Sequence, residues 1–378
     1  MSTLKTTNIQ HASATNPAIV LDASGGMSGS FPSPNRNLLI NGAMQVAQRG
    51  TSVAGITGGG YNTADRWQLQ QTTLGTWTQS VENDAPTGSG FRKSLKMLVT
   101  TADAAPAAGD LIALAQPLEG QDLQRIAKGT ASAQQLSMSF WVKSNVTGTY
   151  VAWLYDADNT RSVSATYAIS ASATWERKTI TFPADATGVL DNDNAASLNL
   201  YFQLAAGSNF TSGTLNTTWA AYTAANAAPG QVNVAAASSN YWQVTGVQLE
   251  VGPAATPFEF KSFGQELREC QRYFYMHASG TTKVICMAAN VTATTAEGTI
   301  FFPTPMRAAP AIYAASGTDY YQFYRNSAGD GFNSFLVEIG TENAINVYNA
   351  TQISGTSGDA GYFYTNNAAA YIGFSADL

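Results

Sequence analysis

Apolar side chains fall at every second position in several segments of this chain. Leu136, Met138, Phe140 and Val142 do so in one run, and Leu198, Leu200, Phe202 and Leu204 in another. Val151, Trp153 and Tyr155 share one face of a third segment. Ile180 and Phe182 end a fourth that begins near Trp175, and Trp67 and Leu69 mark an early one. Side-chain direction repeats every two residues only in extended chain. The pattern therefore calls for strands with one packed and one solvated face, as antiparallel sheets have. Long helices with charged outer faces are disfavoured as well. Only 12% of the 378 residues are charged, about half the usual share. The fold class read from these features is all-β.

The run from Tyr241 to Val251 changes phase. Trp242 and Val244 are in register with each other, whereas Val247, Leu249 and Val251 are shifted by one. A β-bulge at Thr245-Gly246 restores a single buried face, which predicts a kinked, central strand. Two helices are expected. Glu119 to Lys128 sets Leu123, Ile126 and Ala127 on one face, with Gly129 closing it in left-handed geometry. Gln265 to Met276 places Leu267, Cys270 and Phe274 at helical spacing after Pro253 and Pro257.

The chain then divides into four parts. Residues 1–36 are an extended arm punctuated by Asn16-Pro17, Gly25-Gly26 and Pro32-Ser33-Pro34, with one strand candidate at Ala18–Asp22. Such a segment buries no core alone and is expected to pack on a neighbour. Residues 37–263 are the first β domain and 264–277 a helical linker. Residues 278–378 are a second, smaller β domain in which Ile300 and Phe302, and then Phe335, Val337 and Ile339, alternate.

The formal net charge is −6, and no basic run occurs. Nucleic-acid binding needs clustered Lys and Arg and is excluded. No stretch approaches the roughly 20 apolar residues of a membrane span, so membrane insertion is not expected. The opening residues do not read as a signal peptide. A β-rich, exterior-type protein without a secretion signal fits a particle that leaves its cell by assembly and lysis.

The catalytic inventory is thin. His11 lies in the arm, and His277 reads as a cation at a helix end. Cys270 and Cys286 read as two buried thiols. Asp156 with Asp158, and Asp191 with Asp193, sit among asparagines. Their first reading is turn-forming side chains. A structural calcium site at Asp191 and Asp193 is the second, and a glycosidase carboxylate pair the third. No other cofactor is implied. Sugar recognition needs rings that stack on C–H faces beside amide and carboxylate groups. Trp77, Trp219, Tyr222, Tyr320, Tyr321 and Tyr324 are the candidates, against a competing reading as core or subunit packing. Trp67, Trp141, Trp153 and Trp242 are assigned to cores and sheet surfaces.

Several motifs resemble a widespread group of phage tail-fibre-like virion proteins with a jelly-roll carbohydrate-binding-like domain. They are Asn37-Leu-Leu-Ile-Asn-Gly-Ala-Met-Gln-Val-Ala-Gln-Arg-Gly-Thr51, Ala64-Asp-Arg-Trp67, Leu136 to Ser144, and Thr174 to Phe182. Val244-Thr-Gly-Val-Gln-Leu-Glu-Val-Gly252, Ala255-Thr-Pro-Phe-Glu259 and Glu266 to Tyr273 complete the set, which covers about residues 37–275. Phe302 to Pro310 is similar to fibre tips of the same group. The resemblance implies a homotrimeric, non-catalytic virion appendage that binds a host-surface polysaccharide. Its N-terminal arm would meet tail or baseplate proteins. The alternatives are a glycan-cleaving tailspike enzyme and a purely structural head-fibre, collar or capsid-decoration component.

Overall fold

The computed structural model describes residues 35–378 and, before them, the backbone of three short strands. These are β1 (Asn8–Ile9), β2 (Ile19–Leu21) and β3 (Met27–Gly29), which form an antiparallel sheet in the order β1-β2-β3. Of the strand read at Ala18–Asp22, Ile19–Leu21 is present. His11 and the Pro and Gly punctuation of the arm lie outside the described residues. Residues 1–36 form one compact unit and residues 37–378 another.

The second unit begins with thirteen strands. These are β4 (Ser52–Ile56), β5 (Gly60–Tyr61), β6 (Gln68–Thr72), β7 (Thr76–Glu82), β8 (Ser94–Thr101), β9 (Leu111–Glu119) and β10 (Leu136–Ser144). Next in the chain are β11 (Gly148–Asp156), β12 (Arg161–Ile169), β13 (Glu176–Phe182), β14 (Ala196–Ala206), β15 (Ala220–Ala221) and β16 (Tyr241–Val251). They make a jelly-roll sandwich of two antiparallel sheets. One has six strands in the order β13-β10-β16-β8-β7-β4, the other seven in the order β15-β12-β11-β14-β9-β6-β5. The alternating residues of β10 and β14 fill the space between them. Phe202 meets Phe140 edge-on at 5.0 Å between ring centroids and Trp242 at 5.4 Å. All of these rings are fully buried.

The phase change in β16 is a bulge. Pairing with β10 slips between Ser139 and Trp141, opposite Gly246, and β16 lies inside its sheet. Gly246 has φ +61, and a Cβ there would lie 2.5 Å from the Phe91 ring. Both facts demand glycine. Gly246→Ala is expected to destabilise the protein by about 2 kcal/mol, read as a lower urea midpoint at an unchanged slope. An unchanged midpoint would mean that the bulge relaxes at no cost.

The first expected helix is instead two 3₁₀ turns, Gly120–Asp122 and Gln124–Ile126, and Ala127, not Gly129 alone, takes a left-handed conformation (φ +50). The apolar triple is too short to sustain an α-helix, and Lys128 turns inward to a buried ion pair with Asp156. The second helix runs Phe263–Gln271, capped by the Ser262 hydroxyl, which accepts from the Gln265 N–H. It stops before Met276 because the chain enters a strand. His277 is therefore no helix-end cation. It sits in that strand, its Nε2 lies 2.7 Å from the Ile285 carbonyl oxygen, and burial holds its pKa below the usual imidazole value. Cys270 and Cys286 are both free and buried.

The remaining strands are β17 (Phe274–Ser279), β18 (Val284–Asn290), β19 (Ala296–Phe301), β20 (Ala311–Ala314) and β21 (Tyr321–Arg325). After them come β22 (Ala328–Phe332), β23 (Leu336–Gly340), β24 (Ala344–Asn349), β25 (Ala360–Thr365) and β26 (Tyr371–Ser375). A three-stranded sheet, β17-β26-β20, packs with a seven-stranded one, β22-β21-β25-β18-β19-β24-β23, around Phe323, Phe332, Phe335 and Phe363. The alternation of Phe335, Val337 and Ile339 does not mark one packed face. Phe335 enters the core, while β23 is an edge strand with a register shift between Val337 and Ile339, leaving Ile339 exposed. Among the described residues no helix is long and apolar enough to cross a membrane.

Several motif residues that carry the family resemblance act as internal clasps. Asn37 Oδ1 accepts from the Leu249 N–H at 3.0 Å, and its N–H donates to Glu259 at 2.8 Å. Glu250 accepts from the backbone and hydroxyl of Thr256, both at 2.7 Å. The Arg66 guanidinium stacks 3.4 Å over Tyr273 and donates to the Pro117 carbonyl. Arg272 pairs with the buried Glu119 at 2.6 Å. These contacts tie the first sandwich to the Pro253–Lys261 segment and to the helix with its C-terminal turn.

Candidate functional site

Strand β11 is apolar on both faces. Tyr150, Ala152 and Leu154 point into the first core, while Val151, Trp153 and Tyr155 form a separate cluster on the outer face of the seven-stranded sheet. Hydrogen-bonded pairing places Tyr201 of β14 directly across from Trp153, and Ser164 of β12 on its other side. The rings of Trp153 and Tyr201 stack at 4.3 Å with 14° between planes. Ser164 is small, so a ring from farther along the sheet reaches Trp153. Tyr222 follows β15, which pairs with Arg161 and Ser162, and its N–H donates to the Thr160 carbonyl at 2.9 Å. Tyr222 lies 5.8 Å from Trp153 at 10°, and Tyr155 meets it edge-on at 5.2 Å.

The result is a row, Tyr201–Trp153–Tyr222, across the sheet. Trp153 is nearly enclosed in the middle, and the two outer tyrosines are half-buried. Across from Tyr201 on β9 is Ala115, and across from that is Gln68 on β6. A depression of about 260 Å³ is lined by the row residues Tyr201, Trp153 and Tyr222 together with Tyr155, Phe210, Leu111 and Gln70. Burial pushes the Tyr201 hydroxyl up to about 12 and the Tyr222 hydroxyl above its ordinary value, so both phenols stay neutral hydrogen-bonding groups. The Trp153 indole N–H and the Ser164 hydroxyl are buried and have no hydrogen-bond partner among the described residues. Buried polar groups of this kind require a partner. At its surface the face offers aromatic rings and the Gln70 amide.

No protein-family model matches the chain, and no curated protein matches it. Solved structures do show likenesses. The enzymatically active domain of bacteriophage CBA120 tailspike protein 4 aligns at 15% identity and a TM-score of 0.31, over 59% of this chain and 22% of its own. This chain thus spans about a fifth of that protein's length. The family 11 carbohydrate-binding module of a Clostridium thermocellum cellulosomal cellulase aligns at 12% identity and a TM-score of 0.28, over 54% of this chain and 98% of the module. A tandem of two carbohydrate-binding domains from Paenibacillus barcinonensis Xyn10C aligns at 10% identity and a TM-score of 0.27, over 88% of this chain and 99% of the tandem. These are distant likenesses and assign this chain no ligand and no activity.

Of the six aromatic residues singled out in the sequence, only Tyr222 belongs to the row. Trp77 is fully buried in the first core and donates its indole N–H to the Leu74 carbonyl at 2.7 Å. Tyr321 is fully buried in the second core, its hydroxyl donating to the Ala315 and Tyr371 carbonyls. Neither presents a ring to a ligand. Trp219 is half-buried against the first core, donates to the Pro183 carbonyl at 2.9 Å, and has the Lys128 ammonium 4.8 Å from its ring centre. Tyr320 packs on the second core. Tyr324 is exposed and lies 5.6 Å from Tyr362, on the outer side of the C-terminal seven-stranded sheet and outside the row. Trp153, Tyr155 and Tyr201 of the candidate site are not singled out by the sequence pattern. Their signal is a strand whose opposite parity, Tyr150, Ala152 and Leu154, is apolar too.

The expected calcium ligands are not assembled. Asp193 accepts the Ala195 N–H of its own turn at 2.9 Å, and the Asp191 N–H donates to Asp158 at 2.8 Å. No group of three or more His, Cys, Asp or Glu able to hold a metal occurs among the described residues. The Asp158 and Asp193 carboxylates shape turns, as short polar side chains do. Asp156 accepts the Asn159 N–H of its turn at 3.0 Å, yet it is no free acid. It is fully buried and ion-paired with Lys128.

Proposed function

We propose that this chain is a non-catalytic glycan-binding protein that uses the Tyr201–Trp153–Tyr222 row and the depression beside it to hold a polysaccharide. The row carries the reading. Rings standing side by side offer apolar edges to sugar C–H groups, and the Gln70 amide offers a partner for hydroxyls. The acids proposed for catalysis support the absence of chemistry. Lys128 neutralises Asp156, while Asp158 and Asp193 hold backbone N–H groups. The motifs at residues 37–51 and 244–252 support a place in a phage virion as a tail-fibre-like subunit, with the arm of residues 1–36 meeting tail or baseplate proteins. Met287 and Phe301 alternate with core residues and are exposed on the outer side of the C-terminal sheet. They are the surface a homotrimer would cover.

Glycan-array screening followed by calorimetry tests the ligand. A bound polysaccharide with no release of reducing ends supports the proposal. Turnover would favour the tailspike enzyme, and no binding the purely structural component. Light scattering is expected to give three times the chain mass of 39.8 kDa, and a monodisperse monomer would count against the trimer.

A further inference from the structure

On the opposite side of the first sandwich, the outer face of the six-stranded sheet carries a second cavity of about 460 Å³. That volume lies within the range of small-molecule sites, roughly 300–1,000 Å³. Its walls come from separate parts of the chain. Phe91, Phe258 and Phe260 form a triad with centroids 4.9–5.1 Å apart. Phe91 can lie over the sheet only because residue 246 is glycine. Facing the triad are Trp141 and Arg177, which are direct cross-strand partners on β10 and β13. On the other side of Trp141 is Thr245, next to the bulge, so no bulky side chain stands there. The Arg177 guanidinium is exposed and makes no ion pair or hydrogen bond among the described residues. The acids nearby are held elsewhere, Glu250 by Thr256 and Gln248, and Glu259 by the Asn37 N–H.

We infer that this cavity is a second saccharide site, selective for a sugar that bears a carboxylate. The pyranose stacks on Trp141 against the phenylalanine wall, and its carboxylate takes a two-pronged hydrogen bond from Arg177. The Ser139 hydroxyl at the floor serves a ring hydroxyl. The inference is independent of the aromatic row, which lies on the other sheet and whose depression is lined by no Lys or Arg among the described residues.

The test uses the full chain and three probes with a carboxylate, namely trigalacturonic acid, a hyaluronan tetrasaccharide and sialyllactose. Their methyl esters are the neutral controls. At least one acid is expected to bind and its ester to bind at least tenfold more weakly. Arg177→Gln and Trp141→Ala should each reduce acid binding at least tenfold, and Arg177→Lys less. Thermal melts confirm that Arg177→Gln stays folded, since the side chain is on the surface. The inference is overturned if no acid binds, if ester and acid bind alike, or if Arg177→Gln leaves binding intact.

Discussion

Tyr201→Ala is expected to weaken polysaccharide binding by about ten- to a hundredfold, which corresponds to about 1.4–2.8 kcal/mol. A pyranose laid against a tyrosine ring removes on the order of 100 Å² of apolar surface from water, worth roughly 2–3 kcal/mol. Most of that contact is lost with the ring. Tyr201 is the sensitive position because it is half-buried and lines the depression, whereas both faces of Trp153 are covered by tyrosines. Tyr201→Phe keeps the ring and removes one hydrogen-bonding group, so its effect should be smaller, about 1 kcal/mol. Tyr201→Ala also loses the stacking partner of Trp153, at a stability cost of about 1 kcal/mol. Calorimetry well below the melting temperature separates the two effects. Wild-type affinity in the alanine variant would remove the row from the site.

The sheets were legible in the sequence because burial on one face leaves a period of two. The bulge at Gly246 was legible for the same reason, as a phase error in that period. The site was not, because its strand is apolar on both faces. Val151, Trp153 and Tyr155 alternate as a packed face would, and periodicity does not distinguish a core from a ring-lined outer face. Trp77 and Tyr321 failed as candidates for the converse reason. Their polar tips find backbone carbonyls inside the core, so an amphipathic ring near a turn need not be exposed. Lys128 was read as the end of a helix because ion pairing between residues 28 apart leaves no local trace. The motifs that resemble virion proteins were visible as a set, yet the structure gives many of them clasp roles. Asn37, Glu250 and Arg66 hold the sandwich together, which explains why a recognisable motif set does not point to the aromatic face.

Lys128→Met is expected to destabilise the protein by about 3–5 kcal/mol, the range for breaking a buried ion pair from one side. The Lys128 ammonium touches Asp156, lies 3.0 Å from Asp185, and donates to the carbonyls of Thr187 and Gly188 at 3.1 and 2.9 Å. Both carboxylates are buried. Burial raises the Asp185 pKa, but hydrogen bonds from Arg161 and Lys128 outweigh it and hold the group below the usual carboxylate range. Without the lysine, Asp185 keeps Arg161 at 2.9 Å, whereas Asp156 retains only the neutral donors of Asn159. Asp156→Asn removes the charge and preserves that geometry, so its loss should be smaller, about 1–2 kcal/mol. The contrast in urea midpoints identifies a stranded charge, and equal losses from the two variants would rule that account out. The same cluster governs the site. Arg161 Nη2 donates to the Trp219 carbonyl at 3.2 Å, and Arg161 and Ser162 pair with the two residues that precede Tyr222. Loosening this corner releases one end of the aromatic row. Lys128→Met should therefore weaken polysaccharide binding severalfold even at temperatures where it remains folded. Asp156→Asn should leave binding near wild type, with no reducing ends released by either protein, whereas a catalytic carboxylate would give release by the wild type that this change abolishes.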